Sequence, residues 1–280
     1  MDVVINELSL SGQYPNIETF LENLRSIVSV TALFKKNQIN LYKNQMFWQR
    51  DITSDKKLLD LISISHPSIT LFKSHLSALS QPPYWEIDQK HNCEESIYTY
   101  RGNQICDTGL AESAQRDGIV VSFAHDDFMD NQLPIQSGTV NYLLDNLTEL
   151  KITAKILWTK NCINDIDFCH YFFYDTKLCF SELDSSYGFD TLDSTQKNEF
   201  ISSFEMFTFM DWDSIISSDG LDYKAYKPSK KENWFTGSLY EQKQIFKFRI
   251  TQKYRCFGYR NGDIFHILRF EIDHKISDKG

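Results

Sequence analysis

Gln244–Asp273 reads QIFKFRITQKYRCFGYRNGDIFHILRFEID, and three runs within it, Gln244–Thr251, Tyr254–Arg260 and Ile264–Asp273, are rich in β-branched and aromatic residues. Such residues suit a pleated, half-buried surface. Asn261-Gly262 separates the last two runs, and a two-residue Asn-Gly connection is a strong hairpin signal because both positions accept φ > 0. The stretch predicts a three-stranded antiparallel meander. Alternation along its first strand puts Lys247, Arg249 and Thr251 on one face and Phe246, Phe248 and Ile250 on the other. The apolar face is expected to pack and the cationic face to be free.

Working outward, Asp193-Ser194-Thr195 starts a helical stretch to Phe209 with Phe200, Phe204 and Phe207 on one face, and a polar connector, Asp219–Lys231, leads into the meander. Further upstream, Val3–Leu10 reads as a strand, and Asn16 caps a periodic stretch with Phe20, Leu21, Leu24 and Ile27 at helical spacing. Lys56–Ile64 and Ser68–Leu79 read as two short helices broken at Pro67. Thr108–Arg116 reads as a helix and Ile119–Ala124 as a buried strand. LKITAKILW (150–158) and HYFFYDTKLCF (170–180) read as two further strands. These elements predict an α+β protein: an acidic mixed α/β region over residues 1–190 and a basic sheet-plus-helix domain over 191–280.

The chain has 280 residues, 41% of them hydrophobic and 24% charged, with 21 Phe, 14 Tyr and 5 Trp. That composition belongs to a folded chain and excludes low-complexity and collagen-like classes. No G-x-x-x-x-G-K-[ST] loop and no helix-opening G-x-G-x-x-G occurs, which disfavours the nucleotide-binding folds that carry them. Met1–Leu10 has Asp2 and Glu7 and no basic stretch before its apolar residues, so it does not read as a signal peptide. No apolar run approaches the roughly 18 residues that span a bilayer. A cytoplasmic protein without membrane contact is expected. The six cysteines, Cys93, Cys106, Cys162, Cys169, Cys179 and Cys256, lack C-x-x-C spacing and read as buried free thiols.

Charge is unevenly distributed. Lys224–Gly280 holds 13 Lys and Arg against 6 Asp and Glu, whereas residues 1–223 hold 16 against 32. A basic segment on an acidic chain reads as a nucleic-acid or phosphate surface, or as a patch that pairs with the acidic part of its own chain.

Phe246–Lys275 resembles the C-terminal half of RelE/YoeB-type bacterial toxins, which are small mRNA-cleaving endoribonucleases. Arg249-Ile250-Thr251 and Arg255 match the family's R-I-T-x-x-x-R pattern, and His274 falls where its terminal His stands. The likeness spans Lys224–Asp278, or begins at Gln196 if the preceding helix is included; residues 1–190 have no counterpart. It implies metal-independent RNA cleavage without a cofactor. Attack of a 2′-OH on its own phosphate needs cations, a base and an acid. The resemblance assigns Arg249 and Arg255 to the charge, His274 to the acid, and Glu205 or Glu199 on the preceding helix to the base. Lys247, Lys253, Arg260 and Lys275 are the expected RNA contacts, with ribosome association or a protein partner such as an antitoxin as further expectations. In this setting the chain reads as a toxin or phage-defence component restrained by its acidic N-terminal region.

Other readings compete. Lys275 replaces the aromatic residue that follows the His in YoeB-like members, which favours a non-catalytic interaction or nucleic-acid-binding component of a defence complex. Arg255 and Arg269 would then pair with Glu271 and Asp273 across the sheet, and His274 would be a solvated side chain. Asp263 with Asp273-His274-Lys275 spells a metal nuclease motif, but at about 3.3 Å per residue along one strand the two parts lie roughly 30 Å apart. Asp130 or Asp145 with Glu149-Leu150-Lys151 spells it again, and His125-Asp126-Asp127-Phe128-Met129-Asp130 reads as a cation cluster or an acidic surface loop.

Overall fold

The computed structural model describes residues 1–64, 69, 72, 73, 76, 79, 81–229 and 231–279. It divides into two compact units, Met1–Ile163 and Asn164–Gly280, and each contains a mixed sheet, so the chain is an α+β protein.

In the first unit the sheet runs β2-β1-β5-β7-β6-β3-β4. Asp2–Ile5 forms β1, with Val3, Val4 and Ile5 buried, and it pairs in parallel with β2 (Asn40–Tyr42) and β5 (Ile119–Val121). A parallel neighbour needs a crossover, and α1 (Ile17–Lys36) supplies it. Asn16 starts α1 as its sequence predicts, its side chain accepting from Thr19 N at 2.9 Å. The other half of the sheet is antiparallel: β7 (Val140–Leu147), β6 (Gln132–Ser137), β3 (Tyr98–Tyr100) and β4 (Asn103–Gln104). Strand β6 alternates exposed and buried residues, the pattern of a strand with one covered face.

Several expectations change here. The first strand stops at Ile5, and Glu7–Ser9 is a 3₁₀ turn. Lys56–Ile64 contributes only α2 (Asp60–Ser63), and the helix expected over Ser68–Leu79, with its break at Pro67, lies largely outside the described residues. The helix expected over Thr108–Arg116 is α3 (Gly109–Ala114). The strand expected over Leu150–Trp158 is instead helix α4 (Leu150–Thr159). Its buried residues Thr153, Ala154 and Leu157 follow helical spacing, and Leu, Lys and Ala favour a helix where burial demands it. Likewise the start of HYFFYDTKLCF completes α5 (Asp165–Phe172), capped by Asn164 accepting from Asp167 N at 2.8 Å, and only Leu178–Cys179 is a strand, β8. Cys93 and Cys106 form a disulfide rather than free thiols, while Cys169 and Cys256 are free and buried.

The second unit carries the sheet β8-β12-β11-β10-β9, with β9 at Lys224–Ala225, β10 at Phe246–Arg249, β11 at Arg255–Asn261 and β12 at Ile264–Glu271. The meander is antiparallel as expected. Its turn differs by one residue: Asn261 pairs with Ile264, so Gly262-Asp263 forms the two-residue connection, with Gly262 at φ +60. One face packs on α6 (Ser194–Phe209), whose capping box joins Asp193 and Gln196. Phe207 meets Phe248 at 4.7 Å, and Phe200 meets Phe270 at 4.4 Å between ring centroids.

The opposite face, expected to be free, is covered. Residues 226–245, which contain the last part of the polar connector, lay Tyr226, Phe235 and Ile245 against Phe257, Tyr259 and Leu268. Residues 164–190, which composition groups with the acidic region, pack with this sheet: β8 pairs with β12, Phe180 lies 5.3 Å from Phe204, and Phe189 lies 5.1 Å from Phe270. The division by packing therefore falls at Ile163/Asn164 rather than near residue 190.

Candidate functional site

Arg249, Arg255 and Glu271 form a row across β10, β11 and β12 because register pairs Arg249 with Arg255 and Arg255 with Glu271. Arg255 is 5% exposed, and its Nη1 donates to the carbonyls of Thr251 at 2.8 Å and Tyr254 at 2.9 Å. Burial, then the neighbouring Arg249 charge, lowers the Arg255 guanidinium from its ordinary pKa. Arg249 donates to the Asp219 carbonyl at 3.2 Å and pairs with Asp222 at 3.4 Å. Lys224 holds the same Asp222 oxygen at 2.9 Å. Although burial opposes it, hydrogen bonding to Lys224 with the charges of Lys224, Arg249 and Arg255 keeps Asp222 below the usual carboxylate range.

Lys247 is 3% exposed and donates to the Ser277 carbonyl. It is buried under the covering segment rather than presented on a free face. Glu271, also buried, accepts from Ser277 N at 3.0 Å and from Ile276 N, so it ties the C-terminal turn and does not pair with Arg269. Arg269 instead pairs with Asp184 at 3.2 Å. His274 stands in that turn at φ +60, its Nδ1 2.6 Å from Asp278; Asp278 in turn lies within electrostatic range of Arg255.

Among the expected RNA contacts, Lys275 is exposed and pairs with Asp273 at 2.6 Å, and Arg260 stacks on Trp212 at 3.8 Å and donates to the Gly262 carbonyl at 2.7 Å. Lys253 is exposed. Among the described residues no ion pair joins Glu199 or Glu205 of α6 to Arg249 or Arg255. Helix α6 packs on the face that holds Phe248 and Phe270, and strand alternation sends the adjacent Arg249 and Glu271 to the opposite face. Glu199 lines a groove of about 510 Å³ with Ser202, Met206 and Thr251, the residue whose carbonyl accepts from Arg255. Glu205 is half-buried on the same helix.

The first rival metal spelling comes apart too. Asp263 sits in the hairpin turn and Asp273 beyond the far end of β12. Asp145 pairs with Lys160 at 3.0 Å, and Arg101 bridges Asp127 at 3.2 Å and Asp130 at 3.1 Å, which makes that segment an acidic loop whose charge one arginine offsets in part. Charge neutralisation is local in the second unit as well. Asn164–Gly280 carries 15 Lys and Arg against 19 Asp and Glu, a net −4, and the partners of Arg249, Arg260, Arg269 and Lys275 are Asp222, Asp263, Asp184 and Asp273 of that same unit.

Two constellations in the first unit escaped the sequence reading. Glu112 on α3 is fully buried; its Oε2 lies 2.7 Å from His91 Nδ1, and its Oε1 accepts from Arg116 Nε at 2.6 Å. Arg116 also pairs with Asp2 at 2.8 Å and lies 3.9 Å over the Tyr42 ring. Against the effect of burial, hydrogen bonds from His91, from the Lys90 and His91 backbone and from Arg116 hold Glu112 below its ordinary pKa. The i,i+4 spacing of Glu112 and Arg116 in an expected helix was the available signal. The second is Lys43, 2% exposed, beside a cavity of about 740 Å³ that it lines with Phe34, Ile39, Leu41 and Pro83. Its ammonium lies 5.4 Å over the Tyr84 ring, and burial lowers its pKa to about 8. Nothing in the local sequence marks it.

Among the described residues no helix is long and apolar enough to cross a membrane. Comparison with protein-family models, with curated proteins and with solved structures finds no match.

Proposed function

We propose that the Asn164–Gly280 unit is a non-catalytic interaction module, acting as a component of a bacterial defence complex rather than as a ribonuclease. The observation that carries this reading is the state of Arg255, buried at 5% exposure with Nη1 engaged by its own turn. A guanidinium so held offers little to a phosphorane, whose stabilisation needs donors aimed at the developing charge. Helix α6 packs against Phe248 and Phe270, on the sheet face opposite the arginine row, which supports the same reading. The unit's net charge of −4 favours a protein partner over RNA, because phosphate binding rests on uncompensated cations. Met206 and Phe209, one turn apart on α6 and 50% and 83% exposed, give such a partner an apolar contact.

A cytoplasmic setting goes with this reading. It meets one opposing observation, the Cys93–Cys106 disulfide, since reducing compartments keep thiols reduced.

A second reading, RNA cleavage restrained by the N-terminal unit, draws on the juxtaposition of Arg249 and Arg255 with the His274–Asp278 pair near one end of the sheet. Incubating the full chain with RNA, with and without ribosomes, in chelator separates the two. The interaction module yields no 2′,3′-cyclic phosphate products. Products that appear in chelator and vanish in Arg249→Ala would establish cleavage and overturn the first reading.

A further inference from the structure

Near the Cys93–Cys106 disulfide lie two further ligand-type side chains. One ring nitrogen of His91, the Cys93 sulfur and one Asp107 carboxylate oxygen all fall within 4.8 Å of one another. Cys106, bonded to Cys93, brings a fourth donor to the same place. His91 is 3% exposed and fixed in orientation, because its Nδ1 faces the buried Glu112 carboxylate at 2.7 Å. The other ring nitrogen, Nε2, lies 3.8 Å from Asp107 Oδ1 and 3.3 Å from the Gln89 side-chain amide nitrogen. An imidazole nitrogen, a carboxylate oxygen and a sulfur gathered this closely are the donor types that a borderline-soft cation takes.

We propose that the reduced form of this cluster is a zinc site, with His91 Nε2, Cys93, Cys106 and Asp107 as its four ligands and the disulfide as its oxidised form. Two thiolates and an imidazole select zinc over the hard cations, which prefer all-oxygen sites. In a tetrahedral site with Zn–S near 2.3 Å and Zn–N near 2.0 Å, neighbouring ligand atoms stand about 3.3–3.8 Å apart. The present donors reach that spacing by local closure. Glu112 is the outer carboxylate that fixes the His91 tautomer, itself held by Arg116 Nε at 2.6 Å and Lys90 N at 3.0 Å. A dithiol reductant supplies the two electrons: the S–S bond breaks, the reductant leaves as its disulfide, and two cysteine thiols form. Zinc then displaces both thiol protons to solvent. In the reverse direction a small-molecule disulfide accepts the electrons, the S–S bond re-forms and the metal departs. Either cross-link joins the segment before β3 to the loop after β4, so the unit keeps its connection across redox conditions.

The test uses the full chain, reduced with a phosphine, desalted without oxygen and titrated with Co²⁺ as a coloured stand-in for zinc. The expected result is one equivalent bound, with a near-ultraviolet thiolate-to-cobalt band and the visible bands of a tetrahedral ion, all displaced by zinc and absent from the oxidised chain. Asp107→Asn, at an exposed position, weakens binding tenfold or more, and Cys106→Ser removes the thiolate band or halves it. Cys162→Ser with Cys179→Ser leaves binding unchanged. If the reduced chain loses near-ultraviolet circular dichroism, zinc restores it. A reduced, folded chain without the thiolate band, a band that survives Cys93→Ser with Cys106→Ser, or a reduced chain that zinc does not refold overturns the proposal.

Discussion

Arg249 and Arg255 face each other in register across β10 and β11, two like charges, with the Asp222 carboxylate 3.4 Å from Arg249. Directly opposed like charges destabilise a sheet, so Asp222 is what makes the pair tolerable. Asp222→Asn should cost about 1–2 kcal/mol in urea unfolding. Arg249→Met in that background should recover most of the loss, because it removes the repulsion that Asp222 offsets. Strictly additive effects of the two changes would refute the coupling.

Glu7 is fully buried and accepts the Gly109 N–H at 3.0 Å, with Arg50 at 4.0 Å. Burial raises its pKa to about 7, against 4.5 for an ordinary Glu. The unfolded chain therefore releases this proton before the folded one does. Glu7 adds nothing to the pH dependence below about 4.5, and folded stability falls as pH rises from there to about 7. Glu7→Gln should flatten that limb and be more stable than the parent by up to ~3 kcal/mol above pH 7. Parallel stability–pH curves for the two proteins would contradict this assignment.

Lys43 poses the opposite case, a cation whose pKa burial lowers to about 8 from 10.5. The unfolded chain holds the proton that the folded chain loses, so this group makes stability rise with pH between about 8 and 10.5 and imposes its full penalty below that window. Lys43→Met keeps the length of the side chain and removes the charge. At pH 7 it should stabilise the protein by roughly 1–3 kcal/mol, and the advantage should shrink toward pH 10. A gap that stays constant from pH 7 to pH 10 would refute the burial of this ammonium.

Gly258 sits where β11 shifts register against β12, and a Cβ there would lie 2.1 Å from the His266 carbonyl oxygen and 2.7 Å from the Phe265 ring. Gly258→Ala should cost more than about 2 kcal/mol, since backbone must move. Gly102, at φ +81 with nothing within 4 Å of an added Cβ, offers the contrast: Gly102→Ala should cost only about 1 kcal/mol, from backbone strain alone. Comparable losses at both sites would show that the bulge relaxes freely.

Local signals carried much of the architecture. Asn16 and Asp193 cap α1 and α6 where the residues alone place them, and the runs rich in β-branched and aromatic residues at Phe246–Arg249, Arg255–Asn261 and Ile264–Glu271 form the meander. Caps and strand-forming residue types act over a few residues, so they are legible without the fold. At Leu150–Trp158 the β propensity of Ile152, Thr153 and Ile156 points to a strand, whereas the burial of Thr153, Ala154 and Leu157 along one helical face prevails. The candidate site depended on contacts between distant segments. Strand alternation correctly placed Lys247 and Arg249 on the face opposite Phe248, but whether that face met solvent was settled by residues 226–245, whose Tyr226 and Phe235 lie over Phe257. The Cys93–Cys106 pair, 13 residues apart, and the meeting of His91 with Glu112 followed the same logic. Residue identity determined which groups can bear charge; only long-range packing, which removes water from some of them and leaves others wet, decided which are buried and which stay exposed.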